Sequence, residues 1–152
     1  MARLDFDHDA FLARPLTARL ATARPAVRPV WYLWEEERFW ILVGPWNHVP
    51  ADVAADPRVA LVVDTCDLVT GECRQVVCRG EGELVPYEQA RARRKLERYL
   101  GPDPGRWDER FRLYLSDAPD AQLLRITSTF LTARDLSFVP SLDSGGSSPA
   151  PT

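Results

Sequence analysis

Three β-like runs follow one another with almost nothing between them: "LTARLATA" at 16–23, "VRPVWYLWE" at 27–35 and "RFWILVG" at 38–44. The last two are rich in aromatic and branched side chains, which fit a pleated, half-buried surface. Glu35, Glu36 and Glu37 supply the turn between them. Links this short leave no room for helical crossovers, so the spacing predicts a meander of antiparallel strands.

The rest of the chain extends that pattern. "DFDHDAFLAR" predicts a short leading helix with Asp5 as its cap and Pro15 as its end. "VPADVAAD" predicts a brief second helix opened by Pro50, and "RVALVVDTC" a strand buried on both faces. "DLVTGE" closes a hairpin, and "CRQVVCRGEGELVP" returns as a long strand in which Gly80 and Gly82 mark a bulge or a close backbone approach. Residues 87–101 carry an inner stripe of Ala92, Leu96, Tyr99 and Leu100, with Arg and Glu outside and Gly101 at the end. "WDERFRLYLSD" is a second amphipathic stretch, and "AQLLRITSTFLTARDLSF" predicts two short strands around Ser128. The order argues for an α+β domain over residues 1–140, built on an antiparallel barrel or curved sheet. Residues 141–152 have the composition of a disordered tail.

Composition removes several classes. The net charge of −3 gives no footprint for a nucleic-acid partner, and no apolar run approaches a membrane span. The N-terminus mixes acids into its first turn, unlike a signal peptide, and the chain reads as cytoplasmic. Cys66, Cys73 and Cys78 fit reduced thiols better than a disulfide framework. With His48 they form a nominal zinc set, but Cys78 falls on the opposite face of its strand from Cys73, so no metal site is expected. Rossmann, phosphate-loop, zincin and hydrolase signatures are all missing. Trp31, Tyr32, Trp34, Phe39, Trp40 and Trp46 are the more informative cluster, either an interface or a platform for a flat ring.

From Leu16 onward the chain resembles the flavin- and deazaflavin-binding split β-barrel superfamily typified by pyridoxamine 5'-phosphate oxidase. The resemblance rests on "ARLATARPAVRPVWYLW", "RFWILVG", "ADPRVALVVD", "RQVVCRGEGEL" and "LLRITSTFLTARDLSF", in that order. It implies an antiparallel split β-barrel with peripheral helices, a homodimer, and FMN or F-420 in clefts between subunits. Val30, Trp31 and Tyr32 would then line the ring, Trp46, Asn47 and His48 would meet the phosphate side, and Arg79 would reach in from the long strand. The chain departs from the family at the phosphate loop, Val43–Val49. The usual Thr and Ser-Arg-Lys are replaced by Val43, Asn47, His48 and Val49.

Two functions follow. The first is a flavin- or deazaflavin-dependent oxidoreductase moving a hydride to or from a small conjugated substrate. The second is a non-redox descendant that has lost the phosphate clamp and binds or rearranges another small ligand, such as a porphyrin-like ring, at the dimer cleft. A module with no ligand is the blandest alternative.

Overall fold

The computed structural model describes residues 2–116 and 120–141. Its elements are α1 (His8–Leu12), β1 (Ala18–Thr22), β2 (Ala26–Val30), β3 (Leu33–Glu35), β4 (Arg38–Val43), α2 (Val49–Ala55), β5 (Arg58–Cys66), β6 (Cys73–Pro86), α3 (Gln89–Leu100), a 3-10 turn (Pro104–Arg106), α4 (Glu109–Ser116) and β7 (Gln122–Asp135). The strands form one antiparallel seven-stranded sheet in the order β2-β1-β5-β6-β7-β4-β3. Apart from Ser141, the expected tail lies outside the described residues.

That order corrects the meander. β2 and β3 are opposite edges of the sheet, although only Trp31 and Tyr32 separate them. A flat seven-stranded sheet would hold its edges about 29 Å apart. The three Cα steps from Val30 to Leu33 reach at most about 11 Å. The sheet therefore curls until its edges meet, and the chain crosses the seam at Trp31–Tyr32. The result is an α+β antiparallel split β-barrel with peripheral helices. Residues 27–35 are two strands rather than one because the crossing breaks the alternation: Tyr32 and Leu33, consecutive in sequence, are both buried.

Leu20, Tyr32, Phe39, Ile41, Val43, Leu61, Val76, Leu124 and Ile126 fill the barrel. At the β3–β4 turn, Glu36 and Glu37 both have φ of 57°, as a tight two-residue hairpin requires. Residues 122–135 form one strand rather than two, because a bulge absorbs the irregularity: Gly80 pairs with Ser128 and Arg79 with Phe130, leaving Thr129 unmatched. Gly80 is the close approach expected there, since a Cβ would run into the Thr127 carbonyl.

The leading helix is capped by Asp7, whose Oδ1 accepts the Ala10 N–H at 3.1 Å, and not by Asp5. Asp5 belongs to an extended stretch that bridges to β7 through Leu4 and Ala133. α3 ends at Gly101, whose φ of 93° favours glycine.

Candidate functional site

The seam is locked from outside by α3. The Tyr99 hydroxyl donates to the Leu16 carbonyl at 2.6 Å and accepts the Tyr32 N–H at 3.2 Å. Arg98 donates to the Leu12 carbonyl at 3.1 Å and to the Tyr32 carbonyl, with its guanidinium 4.7 Å from the Tyr32 ring centre. The Tyr32 ring is completely buried, and its hydroxyl has no partner among the described residues. Burial pushes that phenol far above its ordinary pKa. Of the three residues expected to line a ring, Val30 packs at the core's margin and Tyr32 fills the barrel. Trp31 lies outside, stacked on Tyr99 at 4.4 Å and on Phe111 at 5.4 Å.

The corner from Gly44 to Val49 contrasts with this. Val43 and Val49, which stand where hydroxyl and ammonium donors are usual, are fully buried and face the core. Asn47 Oδ1 accepts the Val49 N–H at 3.1 Å and caps α2, leaving the Asn47 amide nitrogen as a donor. His48 is exposed and makes no side-chain capping bond. Trp46 is 51% exposed and rests over Gly44, where a Cβ would overlap its ring.

One turn into α2, Asp52 is buried. It accepts from Thr22 Oγ1 at 2.9 Å and pairs with Arg24 at 2.9 Å and Arg28 at 3.3 Å. Burial pushes its carboxyl up, but the Thr22 hydrogen bond and the two arginines outweigh that and hold it below the usual range. Two guanidinium groups on one carboxylate leave one positive charge. Arg28 Nη1 is buried and has no partner among the described residues.

The two predicted halves meet at α4. Phe111 stacks on Trp31, and Tyr114 lies 5.9 Å from Trp46. Trp31, Arg110, Phe111 and Tyr114 enclose an open cavity of about 320 Å³, at the small end of the range for ligand pockets. Arg79 is not brought there. It lies on the outer face of β6, 4.2 Å over Phe130, in a separate cavity of about 570 Å³ with Thr22 and Arg58.

Sequence reasoning missed Arg24, Arg28, Arg98 and the α4 aromatics as site-shaping residues. Arg28 stood inside the quoted "RPVWYLW", and the sign of its role was the Arg-Pro pair on an otherwise apolar run. Arg98 was assigned to the outside of its helix. It turns inward to two carbonyls without main-chain partners, Tyr32 on the crossing chain and Leu12 at the C-terminal end of α1.

A search of curated proteins gives no match. Solved structures do match. A conserved hypothetical protein, Rv2991, from Mycobacterium tuberculosis is 21% identical over 97% of each chain, with a TM-score of 0.70. HutZ, the heme storage protein from Vibrio cholerae, is 16% identical over 85% of this chain and 93% of its own, with a TM-score of 0.63. An F420 reductase is 24% identical over 81% of this chain and 94% of its own, with a TM-score of 0.61. At these identities the likeness establishes the fold, one shared by redox and storage proteins. Among the described residues no helix is long and apolar enough to cross a membrane. The family model for pyridoxamine 5'-phosphate oxidase matches residues 4–131; with the split barrel and its crossed seam, this chain belongs to the pyridoxamine 5'-phosphate oxidase family.

Proposed function

We propose that the protein is a deazaflavin- or flavin-dependent oxidoreductase, with the ring side of the cofactor site at Val30–Tyr32 and the anion side at Asn47, His48 and Arg28. The observation that carries this reading is the unpartnered Arg28 Nη1 in a cluster with one net positive charge, one helical turn from the corner. The donors suit a singly charged phosphodiester better than a phosphate monoester dianion, because the Arg24, Arg28 and Asp52 cluster carries a single net positive charge. F-420 is therefore favoured over FMN. When bound, such a ring supplies the hydride chemistry. The chain's own part is to position it: main-chain groups at the outer edge of β2, with Trp31 and the α4 aromatics beside it. A small conjugated substrate fits a pocket lined by Trp31, Phe111 and Tyr114.

The same reading makes the working unit a homodimer. Val27, Ala21, Ala60, Arg79 and Phe130 form one row across the outer face of the sheet; Val27 is 70% exposed and Phe130 38%. A second copy on that row would cover it and carry Arg79 toward the partner's cleft.

Titrating the purified protein with F-420 and with FMN, followed by absorbance and fluorescence, tests the reading. Saturable binding of F-420, tighter than FMN and weakened tenfold or more in Arg28→Ala, is the expected result. No binding of either cofactor overturns it. The uncharged Val43 and Val49 favour a second, non-redox reading, in which the cleft takes another planar ligand; tight binding of hemin in place of both cofactors would select it.

A further inference from the structure

Cys66 and Cys73 are Cα partners where β5 turns into β6. Directly opposed residues in an antiparallel pair present their side chains on the same face. The type of pair follows from the neighbouring bonds. The Asp67 N–H donates to the Glu72 carbonyl at 2.9 Å, so the next pair inward is of the non-hydrogen-bonded kind. The polar groups of Cys73 agree with this, because both turn away from β5. Its N–H donates to Ser137 Oγ at 3.1 Å, and its carbonyl accepts the Leu136 N–H at 2.7 Å. Non-hydrogen-bonded partners have Cα atoms about 4.5 Å apart, inside the range that a disulfide spans.

We infer that Cys66 and Cys73 form a reversible thiol–disulfide couple, a modification site for hydrogen peroxide that is separate from the ligand cleft. Cys66 is exposed and Cys73 half-buried, so Cys66 is the thiol a peroxide reaches first. Its thiolate attacks one peroxide oxygen; the O–O bond breaks, hydroxide leaves, and Cys66 becomes a sulfenic acid. The Cys73 sulfur then attacks the Cys66 sulfur. The S–S bond forms, and the sulfenic oxygen leaves as water with the Cys73 proton. Two thiols lose two electrons, and peroxide becomes two waters. Burial, with the neighbouring Cys66 thiol, holds Cys73 protonated above the ordinary thiol range, which suits a resolving partner better than a first nucleophile. An exposed disulfide across a short hairpin belongs to the readily reduced class. The pair lies six residues along β5 from Ala60, about 20 Å from the row proposed as the dimer face.

Peptide mapping decides the matter. Trypsin releases residues 59–74 with both cysteines on one peptide, and residues 75–79 with Cys78 alone. Buried Cys78, its thiol pushed up to about 11 by burial, is the internal control. After brief peroxide treatment, the 59–74 peptide should be two hydrogens lighter and closed to alkylation, while Cys78 still alkylates. Dithiothreitol should restore both thiols. Cys73→Ser should leave a sulfenic acid at Cys66 that dimedone traps, and Cys66→Ser should abolish the reaction. Sulfinic acid at Cys66 with Cys73 still free, a disulfide joining two chains, or unchanged alkylation of both cysteines would each overturn the inference.

Discussion

The seam and the corner sit at the two ends of one aromatic helix and use their polar groups in opposite ways. At the seam, the Tyr32 N–H and carbonyl and the Leu12 and Leu16 carbonyls are held by Arg98 and Tyr99. At the corner, the Asn47 amide nitrogen, the His48 ring and Arg28 Nη1 face no protein partner among the described residues. The seam pairs its main-chain groups, although the Tyr32 hydroxyl and Arg98 Nε beside them have no partner among the described residues, whereas the corner leaves side-chain donors over; on the proposed reading, the first serves stability and the second recognition. Changes at the seam should unfold the protein; changes at the corner should alter what it binds.

Tyr32 gives the strongest test of that division. Tyr32→Ala removes a fully buried ring and should cost about 3–5 kcal/mol, read by urea denaturation. Tyr32→Phe removes only a hydroxyl without a partner and should leave stability unchanged or raise it by about 1 kcal/mol. A large loss in Tyr32→Phe would mean that the hydroxyl is held in solution and that the seam is less dry than its packing shows.

Lys95, on the α3 face that covers the seam, is next. It is 7% exposed, and burial, then Arg98, push its pKa down to about 8. The unfolded chain therefore holds more protons than the folded one between about pH 8 and the ordinary lysine value of 10.5. Stability should rise with pH across that window: the penalty is fully present below it and relieved above it. Lys95→Met should stabilise the protein at pH 7 by roughly 3 kcal/mol, and the difference from wild type should shrink toward zero by the top of the window. Paired denaturation curves across that range measure it.

Much of this was legible in the sequence, and the failures have identifiable causes. Strand content, both hairpins, the short α2 and the Gly80 approach follow from local signals that tertiary contacts do not override. The crossing at Trp31–Tyr32 was hidden because both residues have high strand propensity; only the sheet order shows that the chain leaves one edge for the other. Arg98 was placed on the solvent side with the other arginines, and Lys95 was not singled out, although it is three residues from Ala92 and four from Tyr99, on the stripe itself. The corner was read as an uncharged departure from its family, and Val43 and Val49 are buried there. Arg28 was missed because its distance in sequence from α2 disappears only when β1, β2 and α2 pack around Asp52.

Asn47 tests the corner from the structural side. Asn47→Ala removes the cap on Val49 and should cost about 1 kcal/mol, well below the seam's values. It also removes a donor from the proposed anion site, so F-420 affinity should fall by more than stability alone explains. Asn47→Asp separates the two effects. It keeps the cap and restores stability, but places a negative charge at the anion site and should weaken binding further. If Asn47→Asp binds as well as wild type, the anion does not sit at this corner.

The smallest structural effect is expected at Gly44, and it isolates the role of Trp46. Gly44 does not have a positive φ, so its backbone does not demand glycine. The three atoms nearest its Cβ would all lie on the far edge of the Trp46 ring. Because that ring is half exposed, it can swing away at a cost of less than about 1 kcal/mol. Gly44→Ala should therefore fold normally, with the melting temperature within a few degrees of wild type. The displaced ring would leave Tyr114 and loosen the α4 end of the aromatic cavity. If Trp46 helps to shape the ligand site, cofactor affinity should drop in Gly44→Ala to the same degree as in Trp46→Ala, and the double variant should lose nothing more. Equal binding by Gly44→Ala and wild type would confine the site to Trp31 and the arginine cluster, and the corner would be reduced to Asn47 and His48.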